Sequence, residues 1–167
     1  MKKTGIAFLM FFIVVATTYA QSPLSKGSKQ VNAGVGFSGW GVPIYAGMDF
    51  GVYKDITVGF EGSFRSYSQK FGTMTFKSSI FGISGNGNYH FNSLIGIPSE
   101  WDVYAGLNLG YYFWSTSSNY AGTGASGLGL GAQVGGRYFF KNNFGVNLEF
   151  GGGNAFSGGK FGITYIF

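Results

Sequence analysis

Few residues in this 167-residue sequence can do acid–base, metal or nucleophilic chemistry: it holds one histidine, six acidic residues and no cysteine. His90 alone cannot build a multi-histidine metal centre. With Ser93 nearby and Asp102 farther along, His90 has the residue types of a Ser/His/acid hydrolytic set. Such a set works only if the imidazole faces both its nucleophile and a substrate, so side-chain direction decides the matter. The stretch GVGFSG (Gly34 to Gly39) spells the dinucleotide fingerprint. That fingerprint needs a helix to begin there and offer its backbone N–H groups to a pyrophosphate. The remaining candidates are the charges Asp49, Glu61, Arg65, Arg137 and Glu149, scattered among glycines and amides. Whether they form a site or a packed network depends on the elements that carry them.

Those elements are strands. From Gln30 onward apolar and polar residues alternate with period two, in segments near 30–38, 43–53, 56–67, 76–91, 101–114, 127–140, 144–152 and 159–167. One parity is apolar throughout: Val31, Ala33, Val35 and Phe37 in the first segment, Val103, Ala105, Leu107, Leu109, Tyr111 and Phe113 in the fifth, Phe161, Ile163, Tyr165 and Phe167 in the last. The other parity holds Asp49, Glu61, Arg65, Asp102, Arg137, Glu149 and Lys160, beside Asn32, Asn86, Asn88, Asn108, Gln133, Asn147 and many glycines. On this reading GVGFSG continues a strand, and its glycines leave room for neighbours; His90 falls on the polar parity.

Which face meets water follows from bulk and charge. A solvated face has room for long charged side chains, whereas this polar face is thinned by glycine, as a narrow interior demands. Charged residues are only 10% of the chain, against about 25% in ordinary soluble domains, and aromatics reach 20%. The apolar face therefore meets lipid and the polar face fills a lumen. Lipid cannot satisfy backbone hydrogen bonds, so the strands must close. The expected fold is an all-β, eight-stranded antiparallel up-and-down transmembrane barrel. Aromatic girdles are expected at Tyr89, Phe91, Tyr138, Phe140, Phe144, Tyr165 and Phe167 on one rim, and at Phe37, Phe64, Tyr111 and Phe113 on the other. A soluble lipocalin-like binder is the alternative that reverses the facing.

The N-terminus agrees with export. Lys2 and Lys3, the apolar run from Ile6 to Ala16, and small residues at Thr18 and Ala20 read as a signal peptide cleaved after Ala20. The run is too short to span a bilayer. Residues 1–20 are thus expected to be signal, 21–29 an N-terminal segment and 30–167 the barrel domain. Nine basic against six acidic residues then remain, a net +3 that argues for no nucleic-acid partner.

Pairing strands across short turns places some of the charges. A Lys141-Asn142-Asn143 turn sets Phe140 opposite Phe144 and Arg137 opposite Asn147, with Glu149 diagonal to Arg137. Across Tyr53-Lys54-Asp55, Asp49 becomes diagonal to Glu61, and two carboxylates so close need a cation. Arg65 and Arg137 are the cations expected to reach in. An eight-stranded barrel is just wide enough for side chains to fill, so a salt-bridged plug is the expected interior, with a gated ion path or small-ligand pocket as the alternative. Outward loops are expected near 39–42, 68–75, 115–126 and 153–158, where FGTMTF and STSSNYAGTGASG are composed for exposure.

The signal segment, eight alternating strands and a last strand ending in Phe167 resemble the small eight-stranded outer-membrane barrels of the OmpX/OmpA-barrel type. The resemblance implies a Gram-negative outer-membrane location. A monomer without a cofactor is expected, and because the sequence stops at the barrel, the peptidoglycan-binding domain that follows the barrel in OmpA is expected to be absent. The resemblance further implies recognition of the last strand by the outer-membrane assembly machinery, through Tyr165 and Phe167. Its expected role is structural or interactive, through loops that meet a surface partner. Some barrels of this size are lipid-modifying hydrolases working from the outer leaflet. His90, on the inner-leaflet rim and facing inward, argues against catalysis here.

Overall fold

The computed structural model describes residues 24–39, 41–71, 74–116, 126–154 and 157–167, so the expected signal segment and most of the 115–126 loop lie outside the described residues. Eight strands follow in order: β1 (Lys29–Ser38), β2 (Ile44–Tyr53), β3 (Ile56–Phe71), β4 (Met74–His90), β5 (Trp101–Thr116), β6 (Gly127–Lys141), β7 (Phe144–Gly153) and β8 (Gly158–Ile166). A four-residue helical turn, α1 (Asn92–Ile95), sits between β4 and β5. Each strand pairs antiparallel with the next, and β8 returns to β1 through pairs such as Gly34↔Gly162, closing the barrel without an edge. GVGFSG lies on β1 and opens no helix.

The alternating sequence has the facing expected of it. Leu107, Leu128 and Phe60 are 64%, 70% and 55% exposed, while Asp49, Arg137, Asn88, Thr164 and His90 are buried in the lumen. An exterior this apolar around a sealed ladder suits hydrocarbon. Aromatic rings cluster at both ends of the apolar band. Trp101 and Tyr138 stand 4.8 Å apart by ring centroids, and Tyr89 and Phe91 5.1 Å, at the rim where β1 begins. Tyr111–Phe113 at 4.8 Å and Phe81–Phe113 at 6.2 Å mark the opposite rim.

Two details of the sequence reading are corrected. Phe140 does not face Phe144: the ladder slips between Phe139 and Lys141, so that Lys141 faces Phe144, while Arg137 stays opposite Asn147. The bulge lets a tighter Asn142-Asn143 connection join the two strands. Residues 68–71 and 74–75 are strand rather than loop, since β3 runs on to Phe71 and β4 starts at Met74, and residues 72–73 lie outside the described residues. Ten-residue strands of about 33 Å, tilted by about 40°, cover about 25 Å, the height of the apolar band. The 15 to 17 residues of β3 to β6 exceed that by roughly 15 Å. Half the barrel wall therefore stands proud of the membrane as a ledge.

Glycines set where bulky lumen groups fit. A Cβ at Gly59 would strike the Asp49 carboxylate, and one at Gly135 would strike the Tyr104 phenol ring that crosses from β5. At the rim where β1 begins, residues 24–28 fold across the opening. Gly27 N–H donates to Gly51 O at 2.8 Å, Gly51 N–H donates to Ser28 O at 3.0 Å, and Leu24 is buried.

Candidate functional site

The lumen is organised around two cations. Arg137, inward-facing on β6, is buried with every face occupied. Its Nη1 donates to Asp102 Oδ2 at 2.9 Å and its Nη2 to Asp49 Oδ2 at 2.8 Å. Gln30, with its amide oxygen turned toward the guanidinium, accepts from Nε at 3.0 Å. The Tyr104 ring lies 4.2 Å from the guanidinium carbon. Asn32 Nδ2 donates to Asp49 at 2.9 Å and Thr164 Oγ1 donates to Asn32 at 2.9 Å, carrying the network to β8. Burying an ion in a low-dielectric interior is tolerable only with such complete pairing.

The second cation is Lys160 on β8. Its Nζ lies 2.7 Å from Glu61 Oε2 and 2.8 Å from Glu149 Oε1. Tyr104 links the two centres, because its hydroxyl donates to Glu149 Oε2 at 2.9 Å while its ring covers Arg137. Tyr45 makes a second link, donating to Asn147 Oδ1 at 3.0 Å and holding Lys160 5.1 Å from its ring centroid. Three amides continue the ladder: Asn108 donates to Gln133 at 2.6 Å, and Gln133 to Asn88 at 2.7 Å.

The five charges expected to share a network all face the lumen, but their partners differ from expectation. Asp49 faces Gly59 across the β2–β3 ladder, which leaves it diagonal to Glu61. Arg137 reaches Asp49, whereas Glu61 is met by Lys160. Arg65 does not reach in between the carboxylates: it is buried farther along β3, where its Nη1 donates to Ser38 Oγ at 3.3 Å. Glu149, though diagonal to Arg137, binds Lys160 and Tyr104 instead. Lys160, Asp102 and Tyr104 were absent from the expected set. Asp102 faces Arg137 directly across β5–β6, and Lys160 faces Glu149 directly across β7–β8. Their shared parity was the available signal.

His90 is fully buried, with Nδ1 2.7 Å from Asp102 Oδ1 and Nε2 3.0 Å from Thr57 Oγ1. Acid, imidazole and hydroxyl stand in the order of a hydrolytic relay. All three are buried, however, and Asp102 is also tied to Arg137, so the hydroxyl meets no surface. Ser93, the hydroxyl expected beside His90, donates instead to Asp55 at 2.7 Å. Asn92 clamps the same rim, donating to the Trp101 carbonyl and accepting from Val103 N–H at 3.1 Å. Tyr165 and Phe167 face outward there, ring centroids 6.4 Å apart, and Phe167 N–H donates to Lys29 O at 2.9 Å.

Free space lies on one side of these centres. A shallow vestibule, open at its outer end, lies over Lys160, Glu61 and Glu149 in the half of the lumen away from the chain ends. A smaller space lies beneath and ends against Arg137 and Asp49.

Residues 6–165 match the family model described as the outer membrane protein beta-barrel domain. The chain belongs to that family. Its location is the outer membrane, where barrels of this kind keep their short turns on the periplasmic side, which puts the rim with the two-residue turns after Tyr53 and Lys141 in the periplasm and the ledge outside. No curated protein matches the chain. Among solved structures it is similar to OprG of Pseudomonas aeruginosa, at 11% identity over 87% of this chain and 99% of that one, with a TM-score of 0.68. The N-terminal β-barrel domain of Pseudomonas aeruginosa OprF superimposes with a TM-score of 0.58, at 15% identity over 85% and 98%. Ail of Yersinia pestis, crystallised with the heparin analogue sucrose octasulfate, gives 0.53 at 12% identity over 85% and 99%. At such identities the likeness is one of fold.

Proposed function

We propose that this barrel is a sealed, monomeric, non-enzymatic scaffold that presents its extracellular ledge and loops to an anionic surface partner. The seal is supported by the Arg137 centre, where groups from β2, β5 and β6 meet with no buried charge left unpaired, and by the strap of residues 24–28 beneath it. Planar-bilayer recordings of the refolded protein are expected to stay silent; discrete conductance steps would refute the seal.

The surface role rests on one observation, the ledge itself. Between Arg65 and His90 the tall hairpin carries Lys70 and Lys77 and no acidic residue, and Lys77 is exposed. A field of one sign favours anions and weakens with salt. The co-crystallised sulfated sugar of Ail, on the same fold, makes a sulfated glycan the first partner to try. In a non-ionic detergent at low salt the protein is expected to be retained on immobilised heparin. A Lys70→Ala/Lys77→Ala variant should elute at lower salt, and Lys54→Ala/Lys141→Ala, altered at the periplasmic rim, should not. Flow-through of the wild type, or the reverse ranking of the variants, would sink the reading.

A further inference from the structure

One connection at the periplasmic rim is unlike its neighbours. The turns there are charged or polar, Lys54-Asp55 and Asn142-Asn143, whereas residues 91–99, FNSLIGIPS, hold no charged side chain. α1 lies in that stretch. Leu94 is 72% exposed and Ile95 55%, and no large apolar side chain among the described residues is more open than Leu94. We propose that α1 is a membrane foot, which lays Leu94 and Ile95 into the phospholipid interface of the periplasmic leaflet beside the barrel wall. The inference is independent of the surface role above.

The direction of the foot follows from its tethers. Asn92 is buried and fixed to β5, donating to the Trp101 carbonyl and accepting from Val103 N–H at 3.1 Å. Ser93 is fixed to the β2–β3 turn, donating to Asp55 at 2.7 Å. Successive residues of a helix are rotated by about 100°, so Leu94 and Ile95 share the face turned away from both tethers and from the lumen mouth. Gly96 closes the turn in the left-handed conformation, φ 65°, with its N–H donating to Asn92 O at 2.9 Å. A short element held at both ends can present an apolar face without a core beneath it.

The occupant is lipid because the patch continues the lipid-facing wall. Phe91, just before α1, packs on Tyr89 of the girdle at 5.1 Å, and Trp101, where β5 begins, packs on Tyr138 at 4.8 Å. The connection thus leaves from one girdle position and returns to another. Beside it Tyr53, paired with Ile56 and 65% exposed, adds a ring whose apolar body and polar tip suit the membrane–water boundary. An open apolar patch is a cost in water and a gain at the acyl boundary, where an amphipathic turn lies in the plane.

The test uses the full-length barrel, methyl-labelled at leucine and isoleucine, in phosphatidylcholine nanodiscs holding one copy each. A fraction of the lipid carries a nitroxide high on its acyl chain. The methyl signals of Leu94 and Ile95 should lose about half their intensity, as should that of Ile56 on the adjoining wall, since an interfacial helix buries its apolar face about 5–10 Å into the headgroup boundary. A water-soluble gadolinium chelate should leave all three nearly unchanged. Leu94→Ser/Ile95→Ser, altered only on the face away from the barrel, should raise the chelate's relaxation of the Gly96 amide about twofold as the turn lifts into water. The wild-type measurement stands by itself if that variant folds poorly. Leu94 and Ile95 signals broadened by the chelate and spared by the nitroxide would overturn the proposal, leaving the patch to a periplasmic protein or a second copy. So would a Gly96 amide that is indifferent to the double substitution in the folded variant.

Discussion

Arg137→Ala is expected to leave the barrel largely unfolded under conditions where the wild type refolds fully into lipid vesicles. The substitution strips the shared cation from Asp49 and Asp102, both buried, and leaves Gln30 and the Tyr104 ring facing a void. Removing one partner of a buried ion pair costs about 3–5 kcal/mol, because the opposite charge stays behind without compensation. Two carboxylates are left behind here. Against a total stability of about 5–15 kcal/mol, that is a large share. Urea titration read by the heat-modifiable gel shift measures it. Pairing Arg137→Met with Asp49→Asn should recover a substantial part of the loss, since one stranded charge is then gone as well. A single variant within about 1 kcal/mol of wild type would show that the centre is not a structural core.

The same centre shows where sequence reasoning stops. Parity alone placed Asp49, Glu61, Arg65, Arg137 and Glu149 in the lumen, since a strand sends alternate side chains to opposite faces. Tight turns fixed local registers, so Asn147 could be put opposite Arg137 and Asp49 diagonal to Glu61. The decisive contacts lie elsewhere. Asp102 meets Arg137 across β5–β6, strands joined through residues 117–125, and Lys160 meets Glu149 across β7–β8, joined through residues 154–157. A longer connection fixes parity but not register, and a shift of two residues keeps every side chain on its face while changing every neighbour. Contacts through the lumen, Asp49 with Arg137 and Glu61 with Lys160, join strands that do not pair at all. Their closeness is a property of the closed barrel. That is why Arg65 and Arg137 were the cations expected beside Glu61, and Lys160, which holds it, was passed over. The ledge was hidden for another reason: Gly72 and Thr73 look like a loop, yet the flanking Phe, Tyr and Thr residues favour strand and carry the hairpin on to Phe71 and Met74.

Leu107→Arg is the second substitution expected to act strongly, and its neighbour is the control. Leu107 stands outward on β5, midway between the Trp101 and Phe113 girdle positions and 64% exposed. Its cross-strand neighbours are Gly87 and Ala132, so an arginine there finds no polar group along the wall and lies too deep to reach either interface easily. A basic side chain at this depth costs about 2–4 kcal/mol, enough to cut the folded fraction by more than tenfold in a marginally stable barrel. Asn108→Arg moves the same charge by one residue and to the other face. There it enters an open vestibule whose walls include Glu61, Glu149 and Gln133. It should fold nearly as well as wild type and co-sediment with the outer membrane. Folded yield in vesicles and abundance in the outer-membrane fraction read both variants together. A buried Leu107 in a water-soluble barrel would also reject arginine, so the pair alone does not fix the solvent outside. The yield must therefore depend on lipid. Wild-type folding without any bilayer or detergent would defeat the assignment even if the two variants ranked as expected.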